Sequence, residues 1–411
     1  MNQLNVWLVG GYVRDRLIGR PARERDWVVL GASPEEMLAR GFTQVGASFP
    51  VFLHPHTNEE YALARSERKS GSGHKAFITS TENVSLEDDL RRRDLTINAL
   101  AQKQDGEISD PHGGLRDLAG RWLRHISPAF AEDPLRVLRV ARFTAQLAPW
   151  GFHIAPQTLE LMGRIVRSGE LATLPPERIW RETEKALACE RPSEFFYSLR
   201  ACGALKALFG EIDALFGVPQ PAEHHPEVDS GIHTMMVVDA AARAQLSPAE
   251  RFAALAHDLG KGITPERELP KHHMHEKRGA ALVDALCQRL RVPANAHKLA
   301  RICCVEHLLC HRAHELKTST ICDLITRLDG WRNPTKVASF TKVCQADARG
   351  RLGFEHCDYP QADYLAKCHQ AALGVQSAEV IAGIQDNAAK PKAIRRARIE
   401  AMEKVKKQMK L

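Results

Sequence analysis

The sequence lacks the features that mark membrane, exported and low-complexity proteins. It has no run of about 18 apolar residues, and its first residues lack the basic segment and long apolar segment of an export signal. No repeat of fixed period and no long low-complexity tract is present. We therefore expect no membrane-spanning segment, no export signal and no membrane partner.

Cysteine is absent from the first 188 residues, and the ten cysteines that follow form no Cys-x-x-Cys pair. This pattern is a poor disulfide framework and a poor zinc-ribbon motif. We therefore predict buried thiols in a reducing compartment, which indicates the cytoplasm.

What is present is the composition of a globular protein with several cores. A chain of 411 residues is too long for one ordinary core, and 44% apolar with 26% charged residues is typical of soluble domains. The formal net charge of +7 is compatible with a polyanionic partner. Because a similar excess occurs in proteins that bind no nucleic acid, the motifs have to decide.

The sequence predicts an α+β fold in which strands come first and helices follow. Strand patterns occur at Val6–Val9, Trp27–Leu30, Thr43–Val45, Val51–Leu53 and Glu60–Ala64. From about residue 132 onward apolar residues recur at helical spacing. We expect a head over 1–130, a helical neck over 131–225, a third domain over 226–350 with its core at about 230–331, and a helical tail over 351–411.

The first candidate site combines a glycine pair with two acidic residues. Gly10-Gly11 lets a turn approach a phosphate closely, and Arg14 can make charge-assisted bonds to phosphate oxygens, although such pairs also occur in ordinary turns. Glu24 and Asp26 are two residues apart, so an extended segment projects both to one face, where they can hold Mg²⁺. The same pair also suits a solvated strand face. Glu60 is a possible third carboxylate, with an exposed strand glutamate as the alternative.

Four segments together resemble a known family. They are LVGGYVRDRLIG, the acidic pair, LEDDLRRRDLTINALA at 86–101 and AEDPLRVLRVARF at 131–143. In order and spacing they resemble class II tRNA nucleotidyltransferases and the related bacterial poly(A) polymerases. FPVFLHP and EEYALARSERKSGSG are similar to the gammaproteobacterial CCA-adding enzymes, and the likeness covers nearly the whole chain. It implies a polymerase β-like head with a mixed sheet, then an all-helical neck, body and HD domain.

The resemblance also implies roles for individual residues. The catalytic Mg²⁺ ligands are Glu24 and Asp26, and the nucleotide contacts are Gly11, Arg14, Arg93, Arg139 and Arg142. Base recognition falls to Asp133 and Arg136, and ribose or phosphate recognition to Asp94 and Asn98. The segment 65–75 corresponds to a flexible loop whose presence favours complete CCA addition.

One position departs from the family, which usually has aspartate at both acidic positions. Glu24 still offers a carboxylate, but its extra methylene moves the oxygens by about 1.5 Å. We expect either a compensating backbone or reduced activity.

A second candidate site lies in a histidine-rich region between residues 224 and 314. The segment AALAHDLGKG resembles the HD superfamily signature and carries His257 and Asp258. His233 upstream and Asp347 downstream complete the family order, which gives a ligand set suited to a transition metal or Mg²⁺. His275 and His307 are further candidate ligands, and buried structural histidines are the alternative.

The resemblance predicts an enzyme that adds CCA to tRNA from CTP and ATP without a template and releases pyrophosphate. In the resembling enzymes the HD domain adds phosphatase, 2′-nucleotidase and 2′,3′-cyclic phosphodiesterase activities, with Ni²⁺ or another divalent metal. We expect a monomer or a homodimer. The alternatives are a poly(A) polymerase, a phosphohydrolase with an inactive RNA-binding head, and a non-catalytic tRNA-binding protein. The basic segment 390–411 predicts a final helix that packs one apolar face, with tRNA contact as the alternative.

Overall fold

A computed structural model describes residues 4–22, 24–45, 51–69, 77–81, 83–223 and 225–409, without the side chains of 67–69 and 77–79. Residues 70–75 of the predicted flexible loop at 65–75 therefore lie outside the described residues, whereas residues 66–69 form a strand, so that part of the prediction is wrong. The chain divides into two compact units. The first comprises Met1–Ile179 and Tyr197–Leu208, and the second comprises Trp180–Phe196 and Phe209–Leu411. The division into four domains stays a prediction.

A mixed sheet organises the N-terminal part of the chain. The elements, in chain order, are β1 (Asn5–Val9), α1 (Gly11–Leu17), β2 (Asp26–Leu30), α2 (Pro34–Ala39), β3 (Thr43–Val45), β4 (Val51–Leu53), β5 (Glu60–Leu63), β6 (Ser66–Lys69), β7 (Phe77–Ser80), α3 (Leu86–Arg91), β8 (Ala101–Gln102), β9 (Ile108–Ser109), α4 (Gly114–Ala119) and β10 (Trp122–Leu123). In the described residues the main sheet has seven strands in the order β3-β4-β5-β2-β1-β8-β9, and β6 pairs with β7 separately.

The register of the sheet brings distant residues to one end of it. β1 and β2 are antiparallel, so Val9 pairs with Asp26, and the Gly10-Gly11 turn follows directly. β2 and β5 are parallel, unlike the other pairs of this sheet, and Asp26 pairs with Glu60. Burial of Val9 and Val28 holds this end in the core.

The remainder is mostly helical, with one short strand. Its elements are α5 (Leu135–Leu147), β11 (His153–Ile154), α6 (Pro156–Arg167), α7 (Pro176–Leu187), α8 (Ser193–Ala201), α9 (Ala204–Leu208), α10 (Gly210–Asp213), α11 (Ser230–Arg243), α12 (Pro248–Ala256), α13 (His275–Leu290), α14 (Ala294–His311), α15 (Thr318–Arg327), α16 (Thr335–Arg349), α17 (Pro360–Leu373), α18 (Ser377–Ile381) and α19 (Lys390–Gln408). The α+β fold with a polymerase-like head and a helical remainder is confirmed.

Local sequence signals explain where the key helices begin and end. Ser247 caps α12 in a reciprocal capping box with Glu250, and Pro248 is the first residue of the helix. The final helix, α19, packs against α15 and α17 and buries Met402, as its apolar spacing predicts.

Among the described helices, none is long and apolar enough to cross a membrane.

Candidate active sites

The glycine turn of the head positions a buried arginine. Gly10 has a φ of 73°, which favours glycine, and it is the N-cap of α1. Arg14 follows one turn later, and its side chain is only 3% exposed. Its Nη1 donates to Asn98 Oδ1 at 2.6 Å and its Nε donates to Asp15 Oδ1 at 2.8 Å. Burial lowers the pKa of Arg14, while Asp15 opposes that change.

A second buried carboxylate organises the arginines that follow α3. The side chain of Asp89 is fully buried and accepts hydrogen bonds from Arg92 Nη2 at 2.8 Å and Arg93 Nη2 at 3.3 Å. A Cβ on Gly10 would lie 3.0 Å from Arg93 Nη1, so Arg93 packs against the glycine turn. Among the described residues, no acceptor bonds the buried Nε of Arg93. Arg93 therefore brings a positive charge and an unused N–H donor to the glycine turn.

Three guanidinium groups surround one aromatic ring on α5. The guanidinium carbons of Arg14, Arg139 and Arg142 lie 5.3, 5.6 and 4.1 Å from the centroid of the Phe143 ring. Each can contact the negative face of the ring, which partly offsets the repulsion between neighbouring cations. The result is a concentrated positive charge suited to a polyphosphate.

Asp94 links α5 to the segment after α3. Its Oδ2 accepts from Arg139 Nε at 2.7 Å and its Oδ1 accepts from Asn98 Nδ2 at 3.0 Å. Burial disfavours the ionised form, but Arg139 and Asn98 outweigh this and hold the pKa of Asp94 below its usual range. Asn98 also bonds Arg14, so the predicted ribose and phosphate residues form one network.

The side chains of the predicted base-recognition residues contact other parts of the chain. Asp133 Oδ2 lies 3.4 Å from Nη2 of Arg178 on α7, and its Oδ1 accepts from the backbone N–H of Leu135 at 3.1 Å. Arg136 donates instead to the backbone oxygens of Ala129 and Arg92 at 2.9 and 2.6 Å. Both side chains are partly exposed and keep polar atoms in fixed positions.

The three candidate metal-binding carboxylates of the head come from the starts of β2 and β5 and from the segment before β2. Asp26 and Glu60 are register partners, and Glu24 lies two residues before the start of β2. Although Asp26 is accessible to solvent, the protein packed around its carboxylate raises its pKa, Arg93 opposes the rise, and Glu60 and Glu24 add to it. These carboxylates repel one another, and a divalent cation would relieve that repulsion.

Five helices position the histidine–aspartate cluster, which we define as His233, His257, Asp258, His275, His307 and Asp347. His233 is on α11, His257 and Asp258 directly follow α12, His275 begins α13, His307 is on α14 and Asp347 is on α16. All six residues are buried. Six buried polar side chains from separate elements indicate a built site.

The cluster contains two groups of ligand atoms, and in each group the atoms lie within 4.8 Å of one another. The first group is His233, His257 and Asp347, and the second is Asp258, His275 and His307. Asp258 faces both, because its Oδ2 is 3.1 Å from His257 Nε2 and its Oδ1 is 3.2 Å from His275 Nε2. In the described residues every such group, including one formed by His225, Glu227 and His233, lies in this region.

Hydrogen bonds fix the rings so that Nε2 faces the centre of the cluster. Nδ1 of His257, His275 and His307 lies 2.7, 2.8 and 3.0 Å from the backbone oxygens of Ala254, His272 and Cys303. An Nδ1–H donor leaves the Nε2 lone pair for a metal. His257 Nε2 and Asp258 Oδ1 are buried and make no aligned hydrogen bond with any described residue. These observations fit a metal ion.

The pKa shifts of the cluster residues also agree with a metal ion at this position. Burial disfavours a charged His257, but Asp258 and Asp347 outweigh it and raise the pKa of His257 to about 10. Burial lowers the pKa of His307 to about 3. Burial opposes ionisation of Asp258 and Asp347, yet His257 keeps the pKa of both carboxyls well below the usual range. The proton on His257 therefore occupies a position that a cation can take.

The geometry also identifies contributors that the sequence did not indicate. Glu227 Oε1 lies 2.9 Å from His233 Nδ1, and His311 Nε2 lies 2.7 Å from Asp347 Oδ2. Lys261 Nζ lies 2.6 Å from Asp258 Oδ2. Lys261 is part of the HDLGK motif and was therefore within reach of sequence reasoning, whereas Glu227 belongs to no recognisable pattern.

Comparison with known proteins divides the chain into three matched regions. The Poly A polymerase head domain matches residues 6–124. The probable RNA and SrmB-binding site of polymerase A matches residues 151–216, and the HD domain matches residues 231–331.

Full-length relatives cover almost the whole chain. The chain is 54% identical over 405 residues to the multifunctional CCA protein of Methylococcus capsulatus, covering 98% of this chain and 95% of the relative. It is 57% identical over 374 residues to that of Acinetobacter baumannii, covering 91% of each. The fold is similar to the Bacillus stearothermophilus CCA-adding enzyme in complex with CTP, with a TM-score of 0.62, 22% identity, and coverage of 99% of this chain and 95% of that one.

Proposed function

Because the chain belongs to the multifunctional CCA protein family and is a CCA tRNA nucleotidyltransferase, we propose that it adds all three nucleotides from CTP and ATP and releases pyrophosphate. The observation that carries this proposal is the meeting of the Gly10 turn, Arg93 and Asp26 at one end of β1 and β2. A polyphosphate donor beside a carboxylate pair is the arrangement that nucleotidyl transfer needs. The similarity to an enzyme in complex with CTP supports the choice of nucleotide.

Glu24 and Asp26 are the proposed ligands of Mg²⁺, with Glu60 as a third carboxylate beside Asp26. A bound Mg²⁺ supplies charge neutralisation and activation of an attacking hydroxyl. The chain itself orients the reactants. Arg14, Arg139 and Arg142 would bind the triphosphate around Phe143.

The remaining residues of the head would select and orient the nucleoside. We assign Gly11 and Arg93 to the phosphates, Asp94 and Asn98 to the ribose, and Asp133 and Arg136 to the base. An aspartate and an arginine offer acceptors and donors that match the pairing edges of cytosine and adenine. The bond from Arg136 to the oxygen of Arg92 couples the base-reading residue to the segment that carries Arg93.

The head is tested with tRNA that lacks its 3′ end, CTP, ATP and Mg²⁺. Asp26→Ala should abolish addition, while Asp105→Ala, in the exposed turn between β8 and β9, should retain it. Full addition by Asp26→Ala would remove this residue from the catalytic role. Product length separates the alternatives, because CCA addition stops after three nucleotides and poly(A) addition does not.

Glu24 calls for a separate variant. Glu24→Asp should be at least as active as the original protein if the site follows the usual geometry of the family. A large loss of activity would show that the site is built around glutamate, whose carboxylate reaches about 1.5 Å further.

For the HD domain we propose hydrolysis of phosphate esters at tRNA or nucleotide ends, including 2′,3′-cyclic phosphates and 2′-nucleotides. The observation that carries this proposal is the fixed orientation of three imidazoles with Nε2 toward two buried carboxylates. His233, His257, Asp258 and Asp347 would hold Ni²⁺ or another divalent metal, with His275 and His307 as further ligands. Such a metal lowers the pKa of a bound water.

Hydrolysis of 2′,3′-cyclic AMP with Ni²⁺ or Mg²⁺ tests this assignment. His257→Ala should lose hydrolysis and bound metal but keep nucleotide addition. His297→Ala is the matched control, because His297 pairs with Asp284 outside the cluster. Hydrolysis at the original rate by His257→Ala would refute the role.

We further propose that the protein acts in the cytoplasm on tRNA. All ten cysteines are free thiols, which agrees with a reducing compartment. The prediction of a monomer or homodimer is tested by light scattering during gel filtration.

A further inference from the structure

A cavity of about 660 Å³ opens beside the histidine–aspartate cluster. At one end it is lined by Asp258, His275, His307 and Asp347. This volume lies within the range of about 300–1,000 Å³ that small-molecule sites occupy. The cavity is therefore large enough for a nucleotide and not merely for a phosphate.

One wall of the cavity comes from the segment 351–359, between α16 and α17. It follows the region that matches the HD domain, which ends at residue 331. The segment contributes Arg351, Phe354, Cys357 and Tyr359 to the lining. We call this segment the post-HD wall.

The post-HD wall is attached to the residues that support the cluster. The backbone N–H of Leu352 donates to Glu227 Oε2 at 3.3 Å, and Glu227 also contacts His233. The hydroxyl of Tyr359 lies 2.9 Å from His311 Nδ1, and His311 contacts Asp347. These contacts fix the position of both ends of the post-HD wall relative to the histidine–aspartate cluster.

Phe354 is the unusual residue of the wall, because it lines the cavity and yet is 41% exposed. The guanidinium carbon of Arg351 lies 4.9 Å from the centroid of its ring. An aromatic ring next to a cation is the arrangement on which a nucleobase stacks. A large apolar side chain that stays exposed at a cavity indicates a contact surface.

Two lysines in the lining supply positive charge near the cluster. Lys261 is buried and lies against Asp258, while Lys271 is exposed at the cavity. A phosphate at the cluster would meet these cations. The cavity therefore offers charge at one position and an aromatic surface at another.

We propose that the post-HD wall recognises the nucleoside of the phosphate ester, with Phe354 stacking on its base. The ligand class is a ribonucleoside phosphate, either free or as the 3′ end of an RNA. This inference rests on the proposed phosphohydrolase function and names the part of the substrate that the metal cluster does not bind. Phe354 acts here as a specificity residue and takes no part in the bond that breaks.

The test compares Phe354→Ala with Leu352→Ala in the full-length protein loaded with Ni²⁺. Leu352 is the matched control, because it is 56% exposed on the same segment and does not line the cavity. The substrates are 2′,3′-cyclic AMP, an RNA that ends in a 2′,3′-cyclic phosphate, and glycerol 2-phosphate, which has no base.

Phe354→Ala should raise the KM for 2′,3′-cyclic AMP about fivefold or more, because a stacked base is worth at least that factor. Its kcat and its hydrolysis of glycerol 2-phosphate should be unchanged, Phe354→Trp should restore the KM, and Leu352→Ala should match the original protein. A higher KM for cyclic AMP alone assigns the wall to free nucleotides, and a higher KM for the RNA as well assigns it to RNA ends. An unchanged KM for cyclic AMP, or an equal change for glycerol 2-phosphate, overturns the inference.

Binding of 2′-AMP, measured by calorimetry, separates this inference from the proposed function. Failure of the original protein to hydrolyse any of the substrates would refute the phosphohydrolase. The difference in 2′-AMP affinity between Phe354→Ala and Leu352→Ala would still decide the role of the wall. Because the head is identical in both variants, any binding of 2′-AMP to the head contributes equally to both measurements and does not change their difference. Equal affinities overturn the inference.

Discussion

A methyl group at Gly260 should dismantle the histidine–aspartate cluster and spare nucleotide addition. Gly260 follows Asp258 by two residues and crosses the start of α13 at close range. A Cβ at this position would lie 1.9 Å from the backbone oxygen of His275 and 2.6 Å from the backbone nitrogen of Gly279. Real Cβ atoms essentially never come closer than 3.0 Å, so these two backbone segments have to separate.

The required separation is about 1 Å, because close-packed interiors leave no other room. Metal ligands have to lie within about 0.2 Å of their preferred distances, so a shift of that size is roughly five times the tolerance. Asp258 and His275 lie on the two sides of the crossing and belong to the same ligand group. Overpacking of this kind costs about 1–3 kcal/mol, and contact with backbone rather than with a flexible side chain favours the upper end.

The assay for Gly260→Ala measures bound metal by mass spectrometry, thermal unfolding, cyclic phosphodiesterase activity and CCA addition on one preparation. We expect loss of metal and hydrolysis, a lower unfolding temperature, and normal nucleotide addition. Gly210→Ala is the matched control, because a Cβ there meets nothing within 4 Å. Metal content and hydrolysis equal to the original protein would refute the reasoning, and an equal loss in Gly210→Ala would show a general effect of the substitution.

Three further predictions concern charge and burial. Arg178→Ala removes the ion-pair partner of Asp133. Because both side chains are partly exposed, we expect the free energy of unfolding to change by less than about 1 kcal/mol, while the ratio of CTP to ATP incorporation is altered. An unchanged ratio would contradict this role. The pKa of Asp94 is held down in the folded protein, so its carboxylate stabilises the fold above the ordinary pKa and the gain is lost as the pH falls below it. Asp94→Asn should therefore cost about 1–3 kcal/mol at pH 7 and flatten the acid side of the stability profile from denaturant titrations, whereas a profile parallel to the original would rule this out. Burial raises the pKa of Cys304 to about 12. Iodoacetamide at pH 8 should therefore label the half-buried Cys357 well before it labels Cys304, and peptide mass spectrometry measures both. Equal labelling of the two thiols would contradict the burial of Cys304.

The sequence predicts the first five strands and misses β6 to β11. The polar segment that forms β6 suggests a flexible loop instead of a strand. β3 and β4 match their predicted bounds, and β1, β2 and β5 differ by one residue. The two-residue strands β8 to β11 lack any measurable alternation, because their pairing depends on partners far along the chain.

Among the site residues, those that lie in a local motif were predicted and those that depend on long-range contacts were missed. Local motifs indicated Arg14, Asp94 and His257, since each lies in a short segment with a recognisable pattern. The contact of Arg178 with Asp133 spans 45 residues, and that of Glu227 with His233 depends on the path of a loop, so no local spacing could reveal either. The split of the histidine–aspartate cluster into two ligand groups also required the backbone turn at Asp258, which leaves helical geometry.

The parallel pairing of β2 with β5 ties the chemistry of the head to the order in which it folds. The segment with β3 and β4 separates the two strands, so Asp26 meets Glu60 only when this whole crossover has closed. Pairings over such separations form late, because the chain entropy is lost before the contact is gained. A chain in which this crossover is still open thus has the Glu24–Asp26 pair but lacks the third carboxylate beside it.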